Sequence, residues 1–489
     1  MRPQIPCLLM LLLAFMPPIA AQTGAAPPNG MQPGAYDRPM PASIPYPAEL
    51  TRSLTALRNA ALNDDYAFQQ AAHLTENIGP RPDGSPQAQA AVEYVADQLR
   101  KLGLETHLEP VKVPQWTRGV ETAELVEYPG QPPGARQKVV LTALGGNQPT
   151  PPEGLTAEVV TVSSFDELKA LGREGVAGRV VLFNVKFDDR KAENGFAFEA
   201  YDETVIYRAG GARAAAELGA VASLVRSVGN ADYRLPHTGY SARAGIPSGA
   251  VTAEDADLIS HLCAQGKVRI HLVLTSATGA DVPSYNVVAD LKGSEHPEQV
   301  VIVSGHLDSW DLGTGAIDDA AGVAVAMEAA QLIQQLRLHP KRTLRVIAWM
   351  DEENGGRGHD AYAQAHATEL LNHVAAIESD SGAAHPLGFM AKISPAAALK
   401  LSPLAEVLRP IGANLLKLTD SSPEADIMPL AEKGVPALGL LQDGRRYFNF
   451  HHTAADTLDK IAPQELRENA AAMAVMGYAL ADMPEALPR

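Results

Sequence analysis

Histidines and acidic residues gather in five short stretches of the C-terminal half. They are Ser304-Gly305-His306-Leu307-Asp308-Ser309-Trp310-Asp311, Gly315-Ala316-Ile317-Asp318-Asp319-Ala320-Ala321-Gly322, Trp349-Met350-Asp351-Glu352-Glu353-Asn354-Gly355-Gly356, Ile377-Glu378-Ser379-Asp380-Ser381-Gly382 and Phe450-His451-His452-Thr453-Ala454-Ala455-Asp456-Thr457. Imidazole nitrogen with carboxylate oxygen is the donor set zinc prefers, and it falls short of the all-oxygen cage of calcium. His306 can ligate through one ring nitrogen while the carboxylate of Asp308 holds the other and fixes the tautomer. A carboxylate such as Asp318 has two oxygens and can bridge two cations. Asp351, Glu352 and Glu353 leave an apolar strand together with no Lys or Arg immediately beside them, so they call for positive charge. The paired histidines near Asp456 suit a ligand and its orienting partner. Each stretch also has a plainer reading: a structural His-x-Asp, helix-capping aspartates, a solvated acidic loop, a core or surface histidine. Five such stations in one domain outweigh those readings and point to metal.

The stations need a scaffold that brings distant loops together. Val300 to Val303 and Thr343 to Trp349 read as strands, as do Val374 to Ile377 and Ala437 to Leu441. Helices are predicted from about Ala320 to Leu336 and from Gln464 to Met483. This βαβ rhythm predicts an α/β fold: a mostly parallel mixed sheet with helices on both faces, whose strand ends are where sites collect. Upstream, helical patterns run from Thr51 to Asn77 and from Pro86 to Leu102, separated by the turn Gly79-Pro80-Arg81-Pro82-Asp83-Gly84-Ser85. From about residue 120 the texture changes to short β-rich runs, Val159 to Val162 and Arg179 to Phe183 among them, with helices at 165–173 and 209–218. An inserted β-rich domain over 120–283 is therefore expected, leaving 48–119 and 284–489 as the main domain.

Arg2, the apolar run Cys7 to Phe15 and the small pair Ala20-Ala21 form the layout of a cleaved export signal over 1–21, followed by a Pro/Gly/Ala-rich tether over 22–47. Export to a periplasmic or secreted location follows as the expectation. No later stretch is apolar for long enough to span a bilayer. Loss of Cys7 with the signal leaves Cys263, in the pattern Leu258-Ile259-Leu262, as a buried structural thiol with no disulfide partner. The formal charge of −17 repels nucleic acid and anionic lipid, so a small substrate is the better expectation.

Taken in order, the five stretches resemble the M28 family of di-zinc peptidases, as do Gly79 to Ser85 and the run Val113-Pro114-Gln115-Trp116-Thr117-Arg118-Gly119. The resemblance implies a zinc exopeptidase fold with an inserted protease-associated domain over 120–283, two Zn2+ ions and a homodimer. It makes His306 and Asp380 ligands of one zinc, Glu353 and His452 ligands of the other, and Asp318 the bridge, with Glu352 as general base and Asp308 as the partner of His306. His452 rather than His451 is selected because it immediately precedes Thr453. The Asp318-Asp319 bond becomes a candidate cis peptide. Asp351 departs from the family pattern and is expected to raise the proton affinity of Glu352.

The substrate implied is a dipeptide or short peptide with a free terminus, aminopeptidase and dipeptidase being unseparated. Tyr447, Phe448 and Phe450 either wall a specificity pocket or belong to the core. Two rivals are a receptor-like member of the fold that has lost its chemistry and an acyltransferase of the glutaminyl cyclase type.

Overall fold

The computed structural model describes residues 45–489 apart from residue 232. The expected signal and nearly all of the tether lie outside the described residues. The tether's last residues are anchored: Tyr46 donates its hydroxyl to the Lys400 carbonyl at 2.8 Å.

The first of two eight-stranded sheets runs, in spatial order, Glu105–Thr117, Ala277–Leu291, Arg342–Trp349, His296–His306, His373–Glu378, Ala437–Gln442, Pro386–Lys392 and Leu415–Leu418. The four strands from Arg342–Trp349 to Ala437–Gln442 are parallel. Antiparallel pairing enters on both sides of them and Pro386–Lys392 pairs parallel with Leu415–Leu418, so the sheet is mixed, as expected, with a parallel centre. In the strand His296–His306, Val301 and Val303 join one hydrophobic cluster while Val300 and Ile302 join another. Alternate side chains of a strand point to opposite faces, so both faces of the sheet are covered. The helices Ala321–Gln335 and Pro463–Asp482 pack on the first face, and Tyr362 of the helix Arg357–Ala365 on the second.

The helix Pro86–Lys101 shows how locally the sequence directs the chain. Ser85 caps it by accepting the Ala88 N–H at 3.0 Å, Pro86 opens it, Arg100 and Lys101 end it, and Val92, Val95, Ala96 and Leu99 form its buried stripe. The pattern from Thr51 to Asn77, expected as one helix, is instead broken between Ala48–Ala61 and Tyr66–Ala72. Asn63 donates to the Asn59 carbonyl and Asp64 accepts the Tyr66 N–H, local bonds by which short polar side chains compete with the helix.

The second sheet, built within residues 121–274, runs Gln137–Val139, Glu121–Glu127, Arg269–Leu274, Leu155–Val162, Val180–Phe183, Ala222–Arg226, Ser248–Val251 and Leu141–Ala143. It carries the helices Phe165–Val176, Ala197–Glu217 and Ala253–Cys263. The boundary expected at residue 283 falls inside a strand: Ala277–Leu291 pairs with Glu105–Thr117 from Thr117↔Ala277 onward. Its first seven residues are largely exposed. Cys263 is half-buried rather than enclosed, and burial pushes its thiol up to about 11. No helix among the described residues is long and apolar enough to cross a membrane.

Candidate active site

His306 ends its strand in the interior, and four contacts fix it there. Its N–H donates to Asp319 Oδ2 at 3.0 Å, its Nδ1 meets the Asp308 carbonyl at 3.1 Å, and its Nε2 lies 3.0 Å from Asp318 Oδ1 and 3.2 Å from Asp380 Oδ1. The expected carboxylate partner for Nδ1 is thereby corrected. The Asp308 carboxylate stands 3.9 Å from Nδ1 and accepts instead the backbone N–H groups of Glu352 and Glu353, both at 3.2 Å. The main chain sets the tautomer, and the side chain is free to hold the acidic loop.

Asp318 and Asp319 sit in an irregular turn leading into the helix Ala321–Gln335, and the peptide between them is cis. Asp319 does the capping, accepting the Gly322 N–H at 2.8 Å, while Asp318 faces the histidines. Asp456 is no orienting partner for His451 or His452. It accepts the N–H groups of Ala316 and Ile317 at 2.9 and 2.8 Å and so holds the turn that carries Asp318.

His452 approaches from the opposite side. Its Nε2 lies 3.0 Å from Glu353 Oε2 and 3.2 Å from Asp318 Oδ2, and its Nδ1 is 3.3 Å from the Thr238 carbonyl. His451 stacks on it with ring centroids 3.6 Å apart, its Nε2 3.7 Å from Asp318 Oδ2. His452 and Asp351 both adopt left-handed backbone, φ 61° and 72°, which non-glycine residues seldom do away from functional sites.

Each of two imidazole Nε2 atoms thus faces two carboxylates, and a single ring N–H cannot satisfy both. Glu353 Oε1 is buried without a partner. The Nδ1 atoms of both rings face carbonyls, His452's with Arg208 Nη1 also 3.3 Å away; donation to those carbonyls leaves each Nε2 lone pair available. Converging lone pairs and an orphaned carboxylate oxygen fit divalent cations: His306, Asp318 and Asp380 form one group that could hold an ion, Asp318, His451 and His452 another, and Glu353 Oε2 borders the second at 3.0 Å from His452 Nε2.

The electrostatics are those of crowded acids. Burial disfavours charge on His306, yet Asp380, Asp318 and Asp319 raise it well above the usual range; Asp318 is held well below its own by His306 and His452 against the cost of burial. His451, buried beside His452, is pushed well down and stays neutral. The Glu352 carboxyl is raised well above normal by loss of water contact, then by Asp380, Glu353 and Asp426, with His306 opposing. The contribution expected from Asp351 is not among these. That carboxylate turns to Arg357, accepting its N–H at 2.9 Å and approaching its guanidinium at 3.4 Å.

Glu352 is half-buried, and its carboxylate makes no hydrogen bond among the described residues. It lines a cleft of about 590 Å³ together with Asp318, Glu353, Asp380, His452, Tyr447 and Phe448 on one side and Phe198, Tyr201, Arg208 and Tyr240 of the second sheet's layer on the other. Tyr447 and Phe448 are therefore both core and cleft wall, whereas Phe450 faces a neighbouring cavity of about 610 Å³. The Gly79 to Ser85 turn also serves the site. Arg81, wholly buried, donates to the carbonyls of Leu307, Thr314 and Gly315, and Asp83 accepts from Asn354 at 2.9 Å. Nothing in the sequence singles out Arg208, in an alanine-rich helix, or Thr238, which acts through its main chain.

A two-sheet α/β protein with buried imidazoles and carboxylates at the ends of parallel strands is the class these features define. Residues 286–476 match peptidase family M28. The chain is 39% identical to human (Homo sapiens) carboxypeptidase Q over 429 residues, covering 86% of this chain and 87% of that one, and 37% identical to the Bos taurus protein of the same name, covering 91% and 92%. A crystal structure of a peptidase M28 precursor from Shewanella amazonensis superposes with a TM-score of 0.84 at 35% identity, covering 90% of this chain and 98% of that one. The chain belongs to peptidase family M28 and is a zinc metallopeptidase.

Proposed function

We propose that the chain is an exported di-zinc exopeptidase that hydrolyses dipeptides or short peptides with a free terminus. His306 and Asp380 would hold one ion, Glu353 and His452 the other, and Asp318 would bridge them. The observation that carries this reading is the Asp318 carboxylate, whose two oxygens face the Nε2 atoms of two different histidines at 3.0 and 3.2 Å. The likeness to carboxypeptidase Q supports peptide hydrolysis, and the Arg2 to Ala21 pattern supports export.

Zinc bound in such a pair makes water a nucleophile near neutral pH and polarises the scissile carbonyl. Glu352, adjacent to Glu353 but with a free carboxylate, takes the proton from the attacking water and delivers it to the departing amine. Asp308 keeps Glu352 and Glu353 in place through their N–H groups. The layer that supplies Phe198, Tyr201, Arg208 and Tyr240, read as an inserted protease-associated domain, narrows the cleft and excludes long chains. A homodimer completes the proposal.

Metal analysis combined with a panel of dipeptides, tripeptides and their terminally blocked forms tests it. Two zincs per chain, hydrolysis abolished by chelation and restored by zinc, and no turnover of doubly blocked peptides are expected. Zinc without hydrolysis would leave the receptor-like alternative standing, and cyclisation of an N-terminal glutamine peptide would favour the acyltransferase.

A further inference from the structure

Arg118 stands at the crossing between the two sheets, just after the strand Glu105–Thr117 and just before Glu121–Glu127. Its guanidinium spends every donor. Nε and Nη2 grip the Asp311 carboxylate at 2.6–3.0 Å, Nη1 reaches Glu121 Oε1 at 2.7 Å and the Ala143 carbonyl at 3.0 Å, and Nη2 also reaches Thr238 Oγ1 at 3.2 Å. Asp311 closes the stretch that begins at His306.

Thr238 lies at the other end of this bridge. Its hydroxyl donates onward to the Ala143 carbonyl at 2.9 Å, and its main chain meets His452 twice: the Thr238 N–H donates to the His452 carbonyl at 2.9 Å, and the Thr238 carbonyl faces His452 Nδ1 at 3.3 Å. Trp310 packs edge-on against both Trp116 and His452, with ring centroids 5.9 and 5.8 Å away. An unbroken series of contacts therefore joins the His306 loop to His452 through Arg118 and Thr238, a loop residue of the second sheet's layer.

Two groups compete for His452 Nδ1. If Nδ1 carries the hydrogen, it donates to the Thr238 carbonyl and leaves Nε2 as a lone pair. If Arg208 Nη1, also 3.3 Å away, donates to Nδ1, the hydrogen must sit on Nε2, which then cannot bind metal. Arg208 Nη1 also reaches the Thr238 carbonyl at 3.5 Å, so the tautomer depends on how that carbonyl is held between the guanidinium and the ring.

We propose that Arg118 is a positioning residue for the metal centre: by fixing Thr238 it keeps His452 in the ligating tautomer, and through Asp311 it locks that histidine to the His306 loop. The second sheet thus completes a metal ligand's surroundings as well as walling the cleft. This rests on the two-zinc reading above.

Zinc titrations against a competing chelator, on the full-length protein stripped and reloaded, test it. Arg118→Met and Thr238→Val, the latter keeping side-chain shape and main chain, are expected to bind the first ion as the unsubstituted protein does and the second roughly 10–100-fold more weakly. Arg118→Lys, which keeps the charge but not the fork, should recover only part of that loss. Should Arg118→Met fail to fold, Thr238→Val carries the comparison. Unchanged affinity for both ions in Thr238→Val, with any effect of Arg118→Met confined to thermal stability, would overturn the proposal while leaving the two-zinc reading intact. Equal weakening of both ions would overturn the assignment to His452, and an unsubstituted protein that takes up no zinc would overturn both.

Discussion

Asp308 Oδ2 accepts the backbone N–H of Glu353 at 3.2 Å. The carboxylate is fully buried beside other acids, and burial raises it to about 7. It stays where it is because it receives two N–H groups on two oxygens. Asp308→Asn turns one acceptor into a donor pointed at an N–H. A loss of roughly 10–100-fold in zinc affinity or in kcat/KM is expected, with secondary structure unchanged by circular dichroism.

Glu352→Gln retains the shape of the side chain and leaves Glu353, the proposed ligand beside it, in place. Zinc content should remain at the unsubstituted level while kcat falls by about 10²–10⁴-fold, the range of general acid–base contributions. Normal turnover in this variant would refute the role of Glu352.

Gly322 opens the helix behind Asp318, and a Cβ there would lie 1.9 Å from the Ser379 carbonyl oxygen and 2.4 Å from Asp319 Oδ2. Neither neighbour can yield without moving a strand end that leads to Asp380 or the cap that holds the turn. Gly322→Ala is expected to cost about 1–3 kcal/mol in urea unfolding and to weaken zinc binding.

Glu328 is remote from the chemistry and gives a pH signature of its own. Its side chain is wholly buried, Oε2 accepts the Ala67 N–H at 2.7 Å, Oε1 has no partner, and burial raises the carboxyl from 4.5 to about 8. Between those values the folded chain holds a proton that the unfolded chain has released. Stability contributed at this position therefore falls as pH rises through that window. Glu328→Gln should match the unsubstituted protein near the acid end and exceed it progressively towards alkaline pH, as measured by thermal unfolding across the window.

Much of the scaffold was legible because strand and site announce themselves together. Val300 to Val303 reads as a strand and runs directly into Gly305-His306, and the apolar residues before Trp349 run into three acids. What escaped the sequence depends on backbone or on distance. Asp308 looks like a partner of His306 two residues away, yet the carbonyl takes that place and the carboxylate serves a loop reached only through the neighbouring strand. Asp456 looks like the partner of the adjacent histidines but holds Ala316 and Ile317, far back in the chain. Thr238 meets His452 through main-chain atoms, and its hydroxyl meets Arg118 and Ala143, partners remote in sequence that no local pattern reveals. Residues 277–283 read as part of the inserted domain because their strand's pairing with Glu105–Thr117 is invisible without the partner's position.

The last strand of the parallel centre, Ala437–Gln442, is also the last in the chain, and His452 follows it. A growing polypeptide accumulates His306 and all of the crowded acids, from Asp308 to Asp426, before the second imidazole exists to face them. In the two-ion reading, the group of His306, Asp318 and Asp380 is complete by residue 380 while the second group waits for His452, so a protein cut short after Gln442 would keep every described strand and the first group yet lack the second imidazole.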